Sequence, residues 1–361
     1  MVMRLRFCIL ALFSAFILAS CQGNNSNSNK PKARGTLGEI ILVIDSAKYA
    51  GPVGEALKDV FEANIQGIIR PESMFYMRKV DPRRMTRMLR MASNIIFVTT
   101  FDDKSGGSRN IARQFTQESI EKSKADSSLF MLRNNDEFAI GQEVLYLFGE
   151  NEAELINNLD DNKQLLQNLF TNKEKQILGK ALFNRINGNA AALSEQKFGV
   201  KLNLPASYKF TKEAANFLWY RQPTPRVDKP DISLFFYQTA YTDESQIFPE
   251  NIIKLRNEIA KPYIYGDPDN PKSYVVTERL EPPVFKNIRI NGQYSVEMRG
   301  AWKTNNLSMG GSFLSYTVVD EANGKIFYME GFVYYPNEAH RASLREIETI
   351  LQATKFDIVT E

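Results

Sequence analysis

The chain has 361 residues, 43% of them hydrophobic and 24% charged, the composition of a globular protein long enough for two domains with real cores. Its 45 basic residues exceed its 42 acidic ones only because of the start: residues 1–21 carry two Arg and no acid, residues 22–36 add Lys30, Lys32 and Arg34, and residues 37–190 and 191–361 each hold 20 basic against 21 acidic side chains. A body so close to neutral excludes steering of nucleic acid by net charge; with Cys8 and Cys21 both near the start, disulfides, thiolate nucleophiles and Cys-ligated zinc are excluded from the rest.

Met1–Ser20 combine Arg4 and Arg6, an apolar run from Phe7 to Leu18 and small residues ahead of Cys21, the layout of an export signal. The run falls short of the roughly 20 apolar residues that span a bilayer. Leu18-Ala19-Ser20-Cys21 resembles the lipobox of bacterial lipoproteins. The resemblance implies that Cys21 is acylated, becomes the first residue of the mature chain and holds the protein to a membrane. A plain secreted protein with an incidental cysteine is the alternative. Residues 21–36 are polar and aperiodic and read as a flexible tether reaching about 20 Å. No acidic cluster follows Cys21; by resemblance to Bacteroidetes lipoproteins, that implies an outer-membrane protein facing the periplasm.

From Ile40 short apolar runs alternate with amphipathic segments. Strands are expected at 40–44, 74–80, 94–100, 129–132 and 143–148, and helices at 53–61 and 108–122. Asp81-Pro82 reads as the start of a helix with Met85, Met88, Leu89 and Ala92 on one side. Leu155 to Phe170 marks a long helix, and Ile177 to Ile186 another, ending at Asn187-Gly188. Strand and helix alternation argues an N-terminal α/β domain, residues 37–192, closed by trailing helices.

Residues 193–361 change character. Aromatic-rich strands are expected at 200–204, 208–211, 216–221, 232–239, 274–280, 284–290, 293–303, 311–319 and 326–335, with one helix at 250–259 among them. Asn291-Gly292 and Asn323-Gly324 carry the residues that type I′ turns demand, so the last strands should form an antiparallel meander. A terminal helix capped at Asn337 should run to about Thr354, with His340 on the surface of its first turn. The fold class is therefore α+β: an α/β domain followed by an antiparallel α+β sandwich.

Gly38-Glu39-Ile40-Ile41-Leu42-Val43-Ile44-Asp45, Pro71-Glu72-Ser73-Met74-Phe75, Ser93-Asn94-Ile95-Ile96 and Asn216-Phe217-Leu218-Trp219 make the mature chain similar to an uncharacterised Bacteroidetes lipoprotein family, defined by a domain of unknown function of the 4837 type. That likeness implies no catalytic residue, cofactor or substrate. The stretch from Gly324-Lys325-Ile326-Phe327-Tyr328 to Lys355-Phe356 resembles the end of PsbP-like domains, which implies an α/β/α sandwich used for binding and assembly.

The candidate sites are few. Arg83, Arg87 and Arg90 fall on the polar side of the expected helix at 82–92 and read either as an anion-binding face or as a solvated one. Lys104-Ser105-Gly106-Gly107-Ser108 precedes a helix but lacks phosphate-loop and dinucleotide spacing, so a connector is the better reading. Asp45 ends the first strand and reads as a cap. Trp219, Phe235, Tyr237, Trp302, Tyr328, Phe332 and Tyr334 divide by alternation into a core set and a set that includes groove-lining Tyr. No metal, cofactor or catalytic residue can be nominated. The function expected is a non-catalytic binding or assembly module with an envelope protein or glycan partner and no nucleic acid; the alternative is a hydrolase using paired carboxylates on envelope glycan.

Overall fold

The computed structural model describes residues 30–224, 228–264, 266–267 and 269–356. The signal at 1–20 and Cys21 lie outside the described residues, as do residues 22–29 of the expected tether. Residues 30–36 of that tether are held against the first domain. The Ala33 and Arg34 amides donate to the carbonyls of Ile140 and Met91, each at 2.8 Å, and the Ile140 amide donates to Pro31.

The first half runs β1 (Glu39–Val43), α1 (Ser46–Tyr49), α2 (Pro52–Phe61), β2 (Tyr76–Val80), β3 (Asn94–Thr100), α3 (Gly106–Ala112), α4 (Gln117–Ala125), β4 (Met131–Asn135), β5 (Glu143–Gly149), α5 (Glu152–Asp161) and α6 (Lys163–Leu182). Its sheet has the order β2-β1-β3-β5-β4, parallel except for β4. The central strands are buried on both faces, which explains their unbroken apolar runs. One face packs Val53, Leu57, Leu155, Leu166 and Phe170 of α2, α5 and α6; the other packs Ile111 of α3 with Phe115, Met85 and Leu89.

The second half begins with α7 (Gly188–Phe198) and continues through β6 (Val200–Lys201), β7 (Lys209–Ala214), β8 (Phe217–Gln222), β9 (Asp231–Ala240), α8 (Pro249–Tyr263), β10 (Val275–Thr277), β11 (Val284–Ile290), β12 (Gln293–Thr304), β13 (Gly310–Asp320), β14 (Lys325–Tyr334), α9 (Arg341–Gln352) and β15 (Lys355–Phe356). The sheet order is β10-β12-β13-β14-β9-β8-β7, with β11 beside β12, all antiparallel. Helices α7 and α9 cover one face and α8 the other, giving the expected α+β sandwich.

Several sequence expectations change. Asn187 does not end a helix; its side chain accepts from the Ala190 amide at 3.1 Å and caps α7. Ala190 and Phe198 of α7 belong to the second core, so a boundary at 192/193 would cut through that helix. The long helix expected at 155–170 is broken near Asn162 into α5 and α6. Asn323-Gly324 lies in a loop of residues 321–324, where Gly324 has φ 59 and the Gly324 amide donates to Glu321; no two-residue turn forms. Helix α9 starts at Arg341, and Asn337 has φ 67 outside it. His340 is 3% exposed, its ring nitrogens 3.0 Å from Ser312 Oγ and the Tyr335 carbonyl. The aromatic strands bury both faces: Trp219, Phe235, Trp302, Tyr328 and Phe332 pack under α8, and Tyr220, Phe236 and Phe327 under α7 and α9.

The two halves are joined by specific bonds. Glu72 accepts from the His340 and Arg341 amides at 2.7 and 2.9 Å, capping α9 from the other half. Arg341 donates back to the carbonyls of Leu37, Ser73 and Met74, and the Ile69 amide donates to Ser312 Oγ at 3.0 Å. Gly67, at φ +69, lies where a Cβ would come within 2.6 Å of Arg299 Cβ.

Candidate functional site

The arginine segment is not a helix. Asp81 and Pro82 start a single 3-10 turn, Pro82–Arg84, after which Met85 is extended (φ −69, ψ 100). A second 3-10 turn, Leu89–Met91, follows, and Met88 is 77% exposed. The apolar stripe therefore never forms, and no helical face presents Arg83, Arg87 and Arg90 together. Arg83 is tied to Asp81 by bonds of 2.9 and 2.7 Å, which hold the Asp81 carboxyl down to about 2. Arg90 lies over the Phe138 ring at 5.0 Å. The start of α3 is filled as well: Asp103 accepts from the Ser105 amide at 2.8 Å and the Ser108 hydroxyl at 2.5 Å, and Lys48 stands 3.4 Å from it. Asp45 caps α1 through the Ala47 amide.

The feature that does gather charge is a cleft of about 760 Å³ between the halves, walled by α6, α9 and the β11–β12 hairpin. Its floor is an ion network. Glu348 meets Lys175 Nζ at 3.2 Å through Oε1, and Arg299 and Arg345, each at 3.3 Å, through Oε2. Arg299 also meets Glu297 at 2.7 Å, and Arg345 meets Glu174 at 3.4 Å. Glu174 accepts in addition from the Gly38 amide. Burial disfavours the Glu348 charge, but Arg299, then Arg345 and Lys175, outweigh it and hold the carboxyl down to about 2. Burial wins at Glu174 and raises it, with Arg345 opposing. Three cations against three carboxylates leave the floor balanced, each buried charge compensated by a partner as burial demands.

The rim is not balanced. Lys163 at the start of α6 and Lys286 and Arg289 on β11 line the cleft with no carboxylate partner among the described residues. Around them the lining is rich in amides, among them Asn64, Gln164, Asn168 and Asn291. The third component is the outer edge of β11. Asn291 and Gly292, at φ 48 and 84, make the expected two-residue turn between Ile290 and Gln293. In such a hairpin the flanking pair exchanges both hydrogen bonds and bonding alternates from there. Val284, Lys286, Ile288 and Ile290 therefore bond to β12, while the peptide groups of Phe285, Asn287 and Arg289 point away from it, with no backbone partner among the described residues. Sequence reading located this strand and its turn but not its position at a sheet edge facing a cleft, which depends on α6 and α9 arriving from elsewhere in the chain.

Among the described residues no group of His, Cys, Asp and Glu side chains could hold a metal ion, and no helix is long and apolar enough to cross a membrane. Residues 188–353 match the model of a domain of unknown function, DUF4837, and residues 33–183 match that of a second, DUF8532. The model named from the sequence thus matches the second half alone, and the first half, which holds three of the four stretches that carried that resemblance, matches a separate one. No curated protein matches the chain. Solved structures similar in part include LpqN of Mycobacterium tuberculosis, described as involved in cell envelope biogenesis, at 16% identity over 43% of this chain and 82% of that one, with a TM-score of 0.26. The Ran-binding protein Mog1p of Saccharomyces cerevisiae matches at 9% identity over 47% and 92%, TM-score 0.29. A Bacteroides thetaiotaomicron protein matches at 8% identity over 45% of this chain, TM-score 0.25, and this chain spans about half, 46%, of its length.

Proposed function

We propose that these two domains of unknown function form a non-catalytic binding module of the cell envelope, tethered through a lipid on Cys21 to the outer membrane and facing the periplasm. Its partner is an extended acidic protein segment that lies in the cleft. The observation that carries this reading is the seven-residue edge strand β11: all of its residues but Asn287 line a basic cleft, and the outward peptide groups of Phe285, Asn287 and Arg289 have no backbone partner among the described residues. An extended chain adds to such an edge through main-chain hydrogen bonds, and Lys163, Lys286 and Arg289 favour acidic side chains on it. Charged residues also guard edges against self-pairing, but this edge looks onto the α6 wall.

Hydrolysis by facing carboxylates has no comparable support. Both oxygens of Glu348 are held by cations, and Glu174 is bound to Arg345 and the Gly38 amide and is absent from the cleft lining. Glu297, the other carboxylate in the lining, accepts from Arg299 through both oxygens, so none of these carboxylates is free to flank a scissile bond.

A photo-crosslinking residue at the exposed Asn287, in cells making the full chain, tests the proposal. The expected product is a protein adduct that protease removes and that Lys163→Gln, Lys286→Gln, Arg289→Gln together abolish. An adduct removed only by glycan-degrading treatment, or one indifferent to the triple change, refutes the reading.

A further inference from the structure

A second pocket, of about 700 Å³, lies at the opposite end of the second half, where α7 meets the other edge strand, β7. It is built by local rules. The Asn187 amide donates to the Leu204 carbonyl and the Ala206 amide to Arg185, each at 2.8 Å, so residues 185–187 and 204–206 are strapped together beside the start of α7. Asn187 caps the Ala190 amide through its side chain and the Ala191 amide through its carbonyl. The Gly188 and Asn189 amides are left without a partner among the described residues and belong to residues that line the pocket. A bulge between Phe210 and Lys212 interrupts β7 pairing, and the Phe210 ring is 53% exposed, edge-on to Tyr220 at 5.9 Å.

Tyr220 supplies the independent observation. It is 1% exposed, it lines the pocket, and its hydroxyl is buried with no hydrogen-bond partner among the described residues. A buried unpaired hydroxyl is costly, and the cost is recovered when a ligand atom accepts from it. Leu193, Ala190 and the Phe210 and Tyr220 rings make the wall apolar, while the two free amides at the N-terminus of the 11-residue α7, with Lys209 beside them, make one end positive. Lys209 Nζ donates to the Ala206 carbonyl at 2.8 Å and has no carboxylate partner among the described residues. The acid that acts on Tyr220 is Glu213, which is paired with Lys197 at 2.7 Å.

We propose that this pocket binds a small amphipathic anion, an apolar body ending in one carboxylate, with the carboxylate at the α7 N-terminus and Lys209 and within reach of the Tyr220 hydroxyl. The site is separate from the cleft and does not depend on its reading. The chemistry is shared by a fatty acid and by a peptide C-terminus bearing an apolar side chain. The test is calorimetric titration of residues 30–361 with octanoate, octanamide and an N-acetyl-leucine probe. Octanoate should bind at least tenfold more tightly than octanamide, and N-acetyl-leucine in its place would identify the peptide end as the source. Tyr220→Phe should weaken binding of the carboxylate about fivefold or more while leaving the free protein at least as stable as wild type, because it removes a hydroxyl that the free protein leaves unpaired. Equal binding of acid and amide, no binding of either acid, or a Tyr220→Phe variant that binds as wild type overturns the proposal.

Discussion

Replacing Glu348 with Gln removes the anion on which the floor of the cleft converges. Burial alone would raise this carboxyl, and three cations instead depress it from an ordinary 4.5 to about 2. At about 1.4 kcal/mol per pH unit this corresponds to about 3 kcal/mol favouring the ionised form, in line with the roughly 3–5 kcal/mol lost when one partner of a buried ion pair is removed. Because the folded value is depressed, this stability is present above about pH 4.5 and is lost as pH falls toward 2. Glu174 runs in the opposite sense, since burial raises it, but it is present in both proteins and to first order drops out of their difference. Urea unfolding of residues 30–361, wild type against Glu348→Gln, should give a gap of about 3 kcal/mol at pH 7 that falls to less than half by about pH 3. A gap under about 1 kcal/mol at pH 7, or one that stays constant to pH 3, would refute the claim that the ion network joins the halves.

Glu72→Ala removes the cap that one half supplies to α9 of the other and should cost about 1–2 kcal/mol in the same assay; no loss would mean that water caps the helix equally well. A fragment of residues 188–356 should unfold cooperatively by circular dichroism, whereas 200–356, stripped of Ala190 and Phe198 of the second core, should melt broadly. Equal behaviour of the two would show that α7 is dispensable. Cys21→Ala should move the full chain from membrane pellets to the supernatant, since acyl chains contribute about 0.8 kcal/mol per buried CH₂; a variant that still pellets after a high-salt wash would contradict the lipid tether.

What could be read from the sequence was what neighbouring residues decide. The Asn291-Gly292 turn, the apolar runs of β3 and β5 and the one-sided face of Leu344, Ile347, Ile350 and Leu351 on α9 are all local patterns, and each appears in the fold. The Arg83 to Arg90 segment failed because its helical spacing had no partner surface for Met88, and the proline-started turn ended after one cycle. Asn187-Gly188 carries cap chemistry that serves a helix start as well as an end, and only the Leu204 carbonyl, paired with the Asn187 amide, shows which way the chain turns. His340 is buried because Ser312 and Glu72, 28 and 268 residues away, meet it. The cleft is of the same kind: Lys175 and Glu348 lie 173 residues apart, and no spacing in the sequence joins them. The unpaired Tyr220 hydroxyl had no signal in the sequence, because the pattern of the strand expected at 216–221 does not say what a ring oxygen would meet.

The central claim, that the cleft rim and β11 edge receive an acidic strand, is tested most directly by the affinity of a fluorescein-labelled decapeptide alternating Asp with Val, measured by anisotropy over a range of salt. Wild type should bind more tightly as salt is lowered, the Lys163→Gln, Lys286→Gln, Arg289→Gln protein should bind at least tenfold more weakly with a shallower salt dependence, and Arg83→Gln, Arg87→Gln, Arg90→Gln should bind as wild type. Equal affinity of wild type and the rim variant at every salt concentration, or a loss on changing Arg83, Arg87 and Arg90 instead, would contradict it.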